Sequence, residues 1–205
     1  HANPLIKVTI VPRGRALGAA WYLPEERQIT TKEQMLDEMC ATLGGRAAED
    51  LFLNRISTGA MNDLERVTKQ AYGMIAYLGM SDKLPNLCYY NNEEYSFNRP
   101  YSEKTAELID TEVKNMVNEQ YERAKKILSE HREGHNQLAQ LLIDKEVIFA
   151  EDVERIFGKR PWASRSEEIM AAKESQEAAE AEKRLAEEVK EKEKEIKEEE
   201  AENST

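Results

Sequence analysis

Residues 30–52, TTKEQMLDEMCATLGGRAAEDLF, decide the fold. Within them Met35, Leu36, Met39, Cys40, Leu43, Ala47, Leu51 and Phe52 recur three and four positions apart, which gathers apolar side chains along one side of an α-helix. Thr30 followed by Glu33 supplies the pattern of a capping box at its start. The stretch reads as an amphipathic helix, with a bend expected at Gly44-Gly45, where helix propensity falls.

Working outward, the polar turn Ser57-Thr58-Gly59-Ala60 leads to a second helix beginning near Asn62-Asp63, with Leu64, Val67, Ala71, Met74 and Leu78 on its inner face. Residues 79–101 carry Pro, Asn and Tyr without a period and read as a long loop. Ser102 opens a long helix striped by Ala106, Ile109, Val113, Met116, Val117, Tyr121, Ala124, Ile127 and Leu128. Two shorter helices follow, one on Leu138, Leu141 and Leu142, the other on Val153, Ile156 and Phe157. Upstream, LIKVTIV (5–11) and ALGAAWYL (16–23) are rich in strand-forming residues and bounded by Pro12, Gly14 and Pro24, so they read as two strands joined by a Pro-Arg-Gly-Arg turn. The fold class expected is mainly α: a helical bundle with a small N-terminal β-hairpin or sheet over residues 1–160. Residues 161–205 form a Glu/Lys/Ala tail in which Leu185, Val189 and Ile196 are too few for a heptad seam. It reads as a solvated, partly helical or disordered extension rather than a partner-binding coiled coil.

The chain's 205 residues, 40% of them hydrophobic, suffice for one core and a tail. Of the net charge of −11, residues 164–205 carry −7 through 15 Glu against 8 Lys and Arg, so the folded part is only mildly acidic. Without a basic stripe interleaved with aromatics, nucleic acid is not an expected partner. Two distant cysteines, Cys40 and Cys88, do not make a disulfide scaffold and fit reduced thiols in a cytosolic setting. The sequence has no apolar run of about 18 residues to span a bilayer, and His1-Ala2-Asn3-Pro4 is not a signal peptide. The chain as given is expected to be soluble. It begins without Met beside an X-Pro step, which suggests a piece of something longer.

Candidate chemistry is sparse. His131 and His135 lie at i and i+4, but Glu133 is displaced from the place it holds in H-E-x-x-H, and Gly134 weakens the helix. Surface histidines near a helix end are the preferred reading. The sequence has no G-x-x-x-x-G-K-[ST] loop and no G-x-S-x-G elbow. Asp63, in the first turn of its helix after a glycine-containing turn, is by itself a helix-capping carboxylate.

The surroundings of Asp63 change that reading. Thr58-Gly59-Ala60-Met61-Asn62-Asp63-Leu64 resembles the Thr-Gly-Ala-x-Asn-Asp-Leu/Ile signature of FtsH-type ATP-dependent zinc metalloproteases. Three further stretches resemble the same family in the same order: Lys7 to Gly18, Leu43-Gly44-Gly45-Arg46-Ala47-Ala48-Glu49, and the run from Gly73-Met74 to Gly79-Met80-Ser81. The resemblance covers about residues 1 to 160 and implies the carboxy-terminal part of a peptidase domain.

The resemblance implies that Asp63 is the third zinc ligand, completing two His of an upstream H-E-x-x-H helix that is not in this chain, and that the intact enzyme performs metal-assisted peptide hydrolysis. His1 is not one of those imidazoles. Glu49 then either orients a ligand imidazole or forms a salt bridge with Arg46, the latter preferred, and Asn62 supports the turn. Leu17, Gly18, Ala19, Ala20 and Trp21 correspond to the family's substrate-binding edge strand; the alternative is a hairpin covering the helical core with Trp21 and Tyr22 packed.

Family members are homo-hexamers, anchored in the bacterial inner membrane by segments absent here and facing the cytoplasm. They act on unfolded or membrane proteins and use ATP and magnesium in a separate ATPase module. This chain, lacking the two His and the catalytic Glu, is expected to hold no zinc tightly and to be inactive alone. Tyr89, Tyr90 and Tyr95 are expected to pack on their own core rather than at a subunit contact. The competing class is a non-enzymatic helical interaction or oligomerisation module presenting the helix that starts at Ser102.

Overall fold

The computed structural model describes residues 2–14, 16–24, 29–89, 100–162 and 168–177. The chain divides into two compact units, His1–Lys159 and Arg160–Thr205. In the second, residues 168–177 are helical; Leu185, Val189 and Ile196, on which the reading of the tail rested, lie outside the described residues, as do Tyr90, Tyr95 and His1.

In the first unit, three strands and five α-helices follow in the order β1 (Leu5–Thr9), β2 (Ala19–Tyr22), α1 (Lys32–Ala48), α2 (Met61–Tyr72), α3 (Glu103–Glu130), α4 (Arg132–Lys145), β3 (Val147–Phe149) and α5 (Ala150–Phe157) among the described residues. The expectation of a mainly α fold with a small N-terminal sheet holds. The capping box of α1 lies one position later than its sequence suggested. Thr31 accepts from the Gln34 N–H while the Gln34 side chain takes the Thr31 N–H, so Thr30 and Glu33 are not its members. The helix also runs unbroken through Gly44-Gly45. Packing supplies the reason: Met39, Leu43 and Ala47 are almost fully buried on either side of the glycines, and burial outweighs their cost of about 1 kcal/mol each. The regular ladder loosens later, in a single π-turn at Glu49–Leu53 ended by Asn54 in the left-handed region (φ 47°).

The core forms where α1, α2 and α3 meet. Met39, Leu43, Val67, Ala71, Met74, Ile75, Ile109 and Val113 belong to one cluster, and Cys40, Ala47 and Ala124 form a second, smaller one. Polar ties fix the helices at its margins: Arg123 on α3 pairs with Asp37 on α1 at 2.6 Å, and Gln70 on α2 donates to the Met35 carbonyl at 3.0 Å. Beyond α1, the Tyr121 hydroxyl and the Lys125 ammonium meet Asp50 at 2.8 and 3.1 Å. Tyr89 packs against the main cluster, edge-on to Tyr101 with centroids 5.2 Å apart.

The sheet has the order β2-β1-β3, antiparallel throughout. Its third strand was not read from the sequence. β3 follows α4, whose last turn ends at Glu146 in the left-handed region (φ 60°), and aligns Ile148 opposite Val8 and Val147 opposite Thr9. Ile148 is fully buried. The Glu146 carbonyl takes both the Ile10 N–H at 3.0 Å and the Thr9 hydroxyl at 2.9 Å. Thus β1 is held on both sides, and β2 is an edge strand among the described residues.

Candidate active site

The last turns of α1 set the geometry of the segment carrying Asp63. Arg46 Nη1 donates to the Ser57 carbonyl at 2.7 Å. Glu49 receives the Ser57 N–H at 3.0 Å and also the Ser57 hydroxyl. These two bonds, the hydroxyl first, hold the Glu49 carboxyl below the usual carboxylate range, with Arg46 adding a smaller favourable field. Ser57 in turn caps a short 3₁₀ turn, Thr58–Ala60, by accepting the Gly59 N–H at 3.2 Å. Ala60, buried at the end of this turn, leads directly into α2. Glu49 is therefore tied to a backbone turn, and Arg46 contacts the same turn rather than forming the expected ion pair with Glu49.

Asp63 stands in the first turn of α2, where the positive helix end favours a carboxylate. It is exposed and makes no hydrogen bond or ion pair among the described residues. Its side chain lines a cavity of about 640 Å³ with Arg66 from α2, Glu38, Thr42 and Gly45 from α1, and Gly18, Ala20 and Tyr22 from the β2 side.

The alternation of a strand explains the last three: residues two apart share a face, and these point toward α1 and α2. Of the other edge-strand candidates, Trp21 lies on the opposite face beneath Lys7, whose ammonium is 4.6 Å from the ring centroid. Ala19 shares that parity, and Leu17, 84% exposed, precedes the strand. Asn62 is exposed in the first turn of α2.

Glu38, Thr42, Gly45 and Arg66 were missed as site residues. A signal existed: Glu38, Thr42 and Gly45 recur at helical spacing on a polar row of α1, turned by about 100° from the buried Met39 and Leu43, so one period marks both the core face and the cavity face.

His131 and His135 do not converge on a metal site. His135 is half-buried and stacks on Phe52 with centroids 4.1 Å apart and planes 11° from parallel. His131, at the α3–α4 junction, meets Phe157 edge-on at 6.0 Å. The expectation of two surface histidines holds only for His131; stacking draws His135 inward.

The profile of peptidase family M41 matches residues 1–156.

The chain belongs to peptidase family M41.

It is 72% identical over 176 residues, 85% of its length, to the ATP-dependent zinc metalloprotease FtsH of Parabacteroides distasonis, of which it covers 26%. It is 50% identical over 167 residues, 79% of its length, to the FtsH of Rhodothermus marinus, covering 24% of that protein. With the mitochondrial inner membrane m-AAA protease component AFG3L2 of Mus musculus it shares 43% identity over 168 residues, 81% of its length and 21% of the relative's. The M41 chain thus spans about a quarter of the length of the curated relatives it matches. The resemblance read from Ser57 to Leu64 and its three companion stretches is the family shown by these comparisons.

For a metallopeptidase family the donor set can be tested directly. Catalytic zinc takes three protein ligands and an open position. Among the described residues no group of three or more His, Cys, Asp or Glu side chains is placed to hold a metal ion. Asp63 fits the part of one contributed ligand, being an oxygen donor on the cavity wall with no competing partner among the described residues. No helix among the described residues is long and apolar enough to cross a membrane.

Proposed function

We propose that this M41 chain is the carboxy-terminal part of the peptidase domain of an FtsH-type ATP-dependent zinc metalloendopeptidase. In this reading Asp63 supplies one zinc ligand and the β2 edge holds the substrate. The observation that carries it is the shared cavity: Asp63 on α2 and the Gly18-Ala20-Tyr22 face beside β2 wall the same space.

A polypeptide added to a free strand edge is held by main-chain hydrogen bonds, which do not depend on its sequence. Gly18 and Ala20 keep that approach open, and Tyr22, 52% exposed, closes its far end. The substrates that fit are extended segments of unfolded or membrane proteins. The remaining zinc ligands and the catalytic Glu come from an H-E-x-x-H helix preceding this chain. ATP and magnesium act in a separate ATPase module, in a homo-hexamer anchored at the cytoplasmic face of the bacterial inner membrane. The chain by itself binds zinc weakly and does not cleave peptides. Glu49 and Asn62 are supports of the segment bearing Asp63, and Leu17, Ala19 and Trp21 are parts of the edge that do not face the cavity.

Ala20→Trp in the full-length protein tests this reading, because it places a large ring in the cavity from an exposed position. Casein and peptide cleavage should fall while ATP hydrolysis and zinc content stay at wild-type values. Cleavage at the wild-type rate would show that substrate does not lie along β2.

A further inference from the structure

The position of Asp63 depends on a device outside the cavity. The helix that bears it starts without a side-chain cap: Ala60 occupies the N-cap position and offers no hydrogen-bond acceptor from its side chain. The placement of its first turn is therefore inherited from the preceding 3₁₀ turn.

That turn hangs on Ser57, and all three polar groups of Ser57 are held by the end of α1. Its N–H and hydroxyl go to Glu49, and its carbonyl goes to Arg46 at 2.7 Å. The Ser57 oxygen also caps Gly59 at 3.2 Å. Further along, Val67 and Ala71 are fully buried and Leu64 packs against the same cluster, so packing fixes the axis of α2, while the polar hold on its start comes from the clamp.

We infer that Arg46, Ser57 and Glu49 form a positioning clamp that holds the first turn of α2 so that Asp63 faces the cavity beside Gly18 and Ala20. This rests on the reading of Asp63 as a zinc ligand. Glu49 acts on the site through the peptide backbone of Ser57 and touches no reacting group. Partners that orient a metal ligand typically contribute roughly 10- to 100-fold to metal affinity or activity.

The test uses the full-length protein and the variants Glu49→Ala, Glu49→Gln, Ser57→Ala and their combination. Two readouts are zinc affinity, by competition with a chromogenic chelator, and hydrogen exchange of the amides at 57–64. Glu49→Ala should weaken zinc roughly 10- to 100-fold and speed exchange at 57–64, with the melting temperature and ATP hydrolysis little changed. Ser57→Ala should reproduce much of that loss, the double variant should lose little more than Glu49→Ala alone, and Glu49→Gln, which keeps an acceptor for Ser57, should recover part of it.

If Glu49→Ala weakens zinc while Ser57→Ala does not, Glu49 acts on a ligand directly and the clamp is refuted. Unchanged zinc affinity and exchange in all variants also refutes it. If wild-type protein binds zinc and Asp63→Ala leaves that binding intact, the ligand reading fails first and the clamp falls with it.

Discussion

Gly18→Ala probes the strand edge through a single methyl group. A Cβ at this position would stand 2.6 Å from the Thr9 carbonyl oxygen, against the 3.0 Å that real Cβ atoms keep. A shift of roughly 0.4 Å at least is needed, and it cannot come from β1, because Thr9 is fastened from the other side by its pairing with Val147 and its bond to the Glu146 carbonyl. The movement falls on β2. Overpacking of this kind costs about 1–3 kcal/mol. The alanine also restricts the unfolded chain, which offsets about 0.4–1 kcal/mol, leaving a net destabilisation of about 1.3 kcal/mol at the midpoints of the two ranges. At about 2–4 °C per kcal/mol for a domain of this size, thermal unfolding should come roughly 3–5 °C earlier. Circular dichroism melts of the wild-type and variant chains measure this, and urea titration checks it independently. In the full-length protein the displaced edge should also lower the rate of peptide cleavage, since misplacement of the order of 1 Å can cost about 10²-fold. An unchanged melting temperature would show that β2 does not lie this close to β1, and the strand geometry of the site would be wrong.

Gly44→Ala should act in the opposite direction. Nothing lies within 4 Å of the added Cβ, so the gain in helix propensity of about 1 kcal/mol stands unopposed; a lower denaturation midpoint would contradict the unbroken course of α1. Asp152→Asn should change the acid limb of stability. The Lys145 ammonium, the Phe149 N–H and, more weakly, Arg155 hold the Asp152 carboxyl below its usual range. A depressed folded-state value means stability present above the unfolded value of about 3.9 and lost as pH falls through the folded one. Urea midpoints should therefore separate wild type from Asp152→Asn near pH 6 and converge as pH falls from the unfolded carboxylate value through the lower folded one. Curves that remain parallel down to low pH would show that Asp152 is not paired in the folded state.

Much of this fold was legible because helical periods survive translation into structure. The apolar stripe of residues 30–52 became the core face of α1, and Ser102 capped α3 as its place before the long stripe suggested. What escaped was decided by partners distant in sequence. Val147-Ile148-Phe149 is too short to announce a strand, and only the backbone of β1, far upstream, makes it one. Gly134, read as a weak point of a helix, is where the Phe157 ring sits: an added Cβ would fall 2.4 Å from that ring. At the site, the motif around Asp63 pointed to the carboxylate, and the family was readable from four stretches of sequence. The roles of Ser57 and Arg46 were not, since a serine and an arginine eleven positions apart carry no periodic signal. Likewise, only the strand pairing reveals which of Leu17 to Trp21 face the cavity.

The most direct test of the central claim is zinc content by atomic absorption, measured after dialysis on the full-length protein, on its Asp63→Ala variant and on the chain of residues 1–205 alone. Stoichiometric zinc in the full-length protein, lost in Asp63→Ala and absent from the isolated chain, is the expected result. Stoichiometric zinc retained by Asp63→Ala, or held by the isolated chain, would contradict the assignment of Asp63 as a contributed ligand.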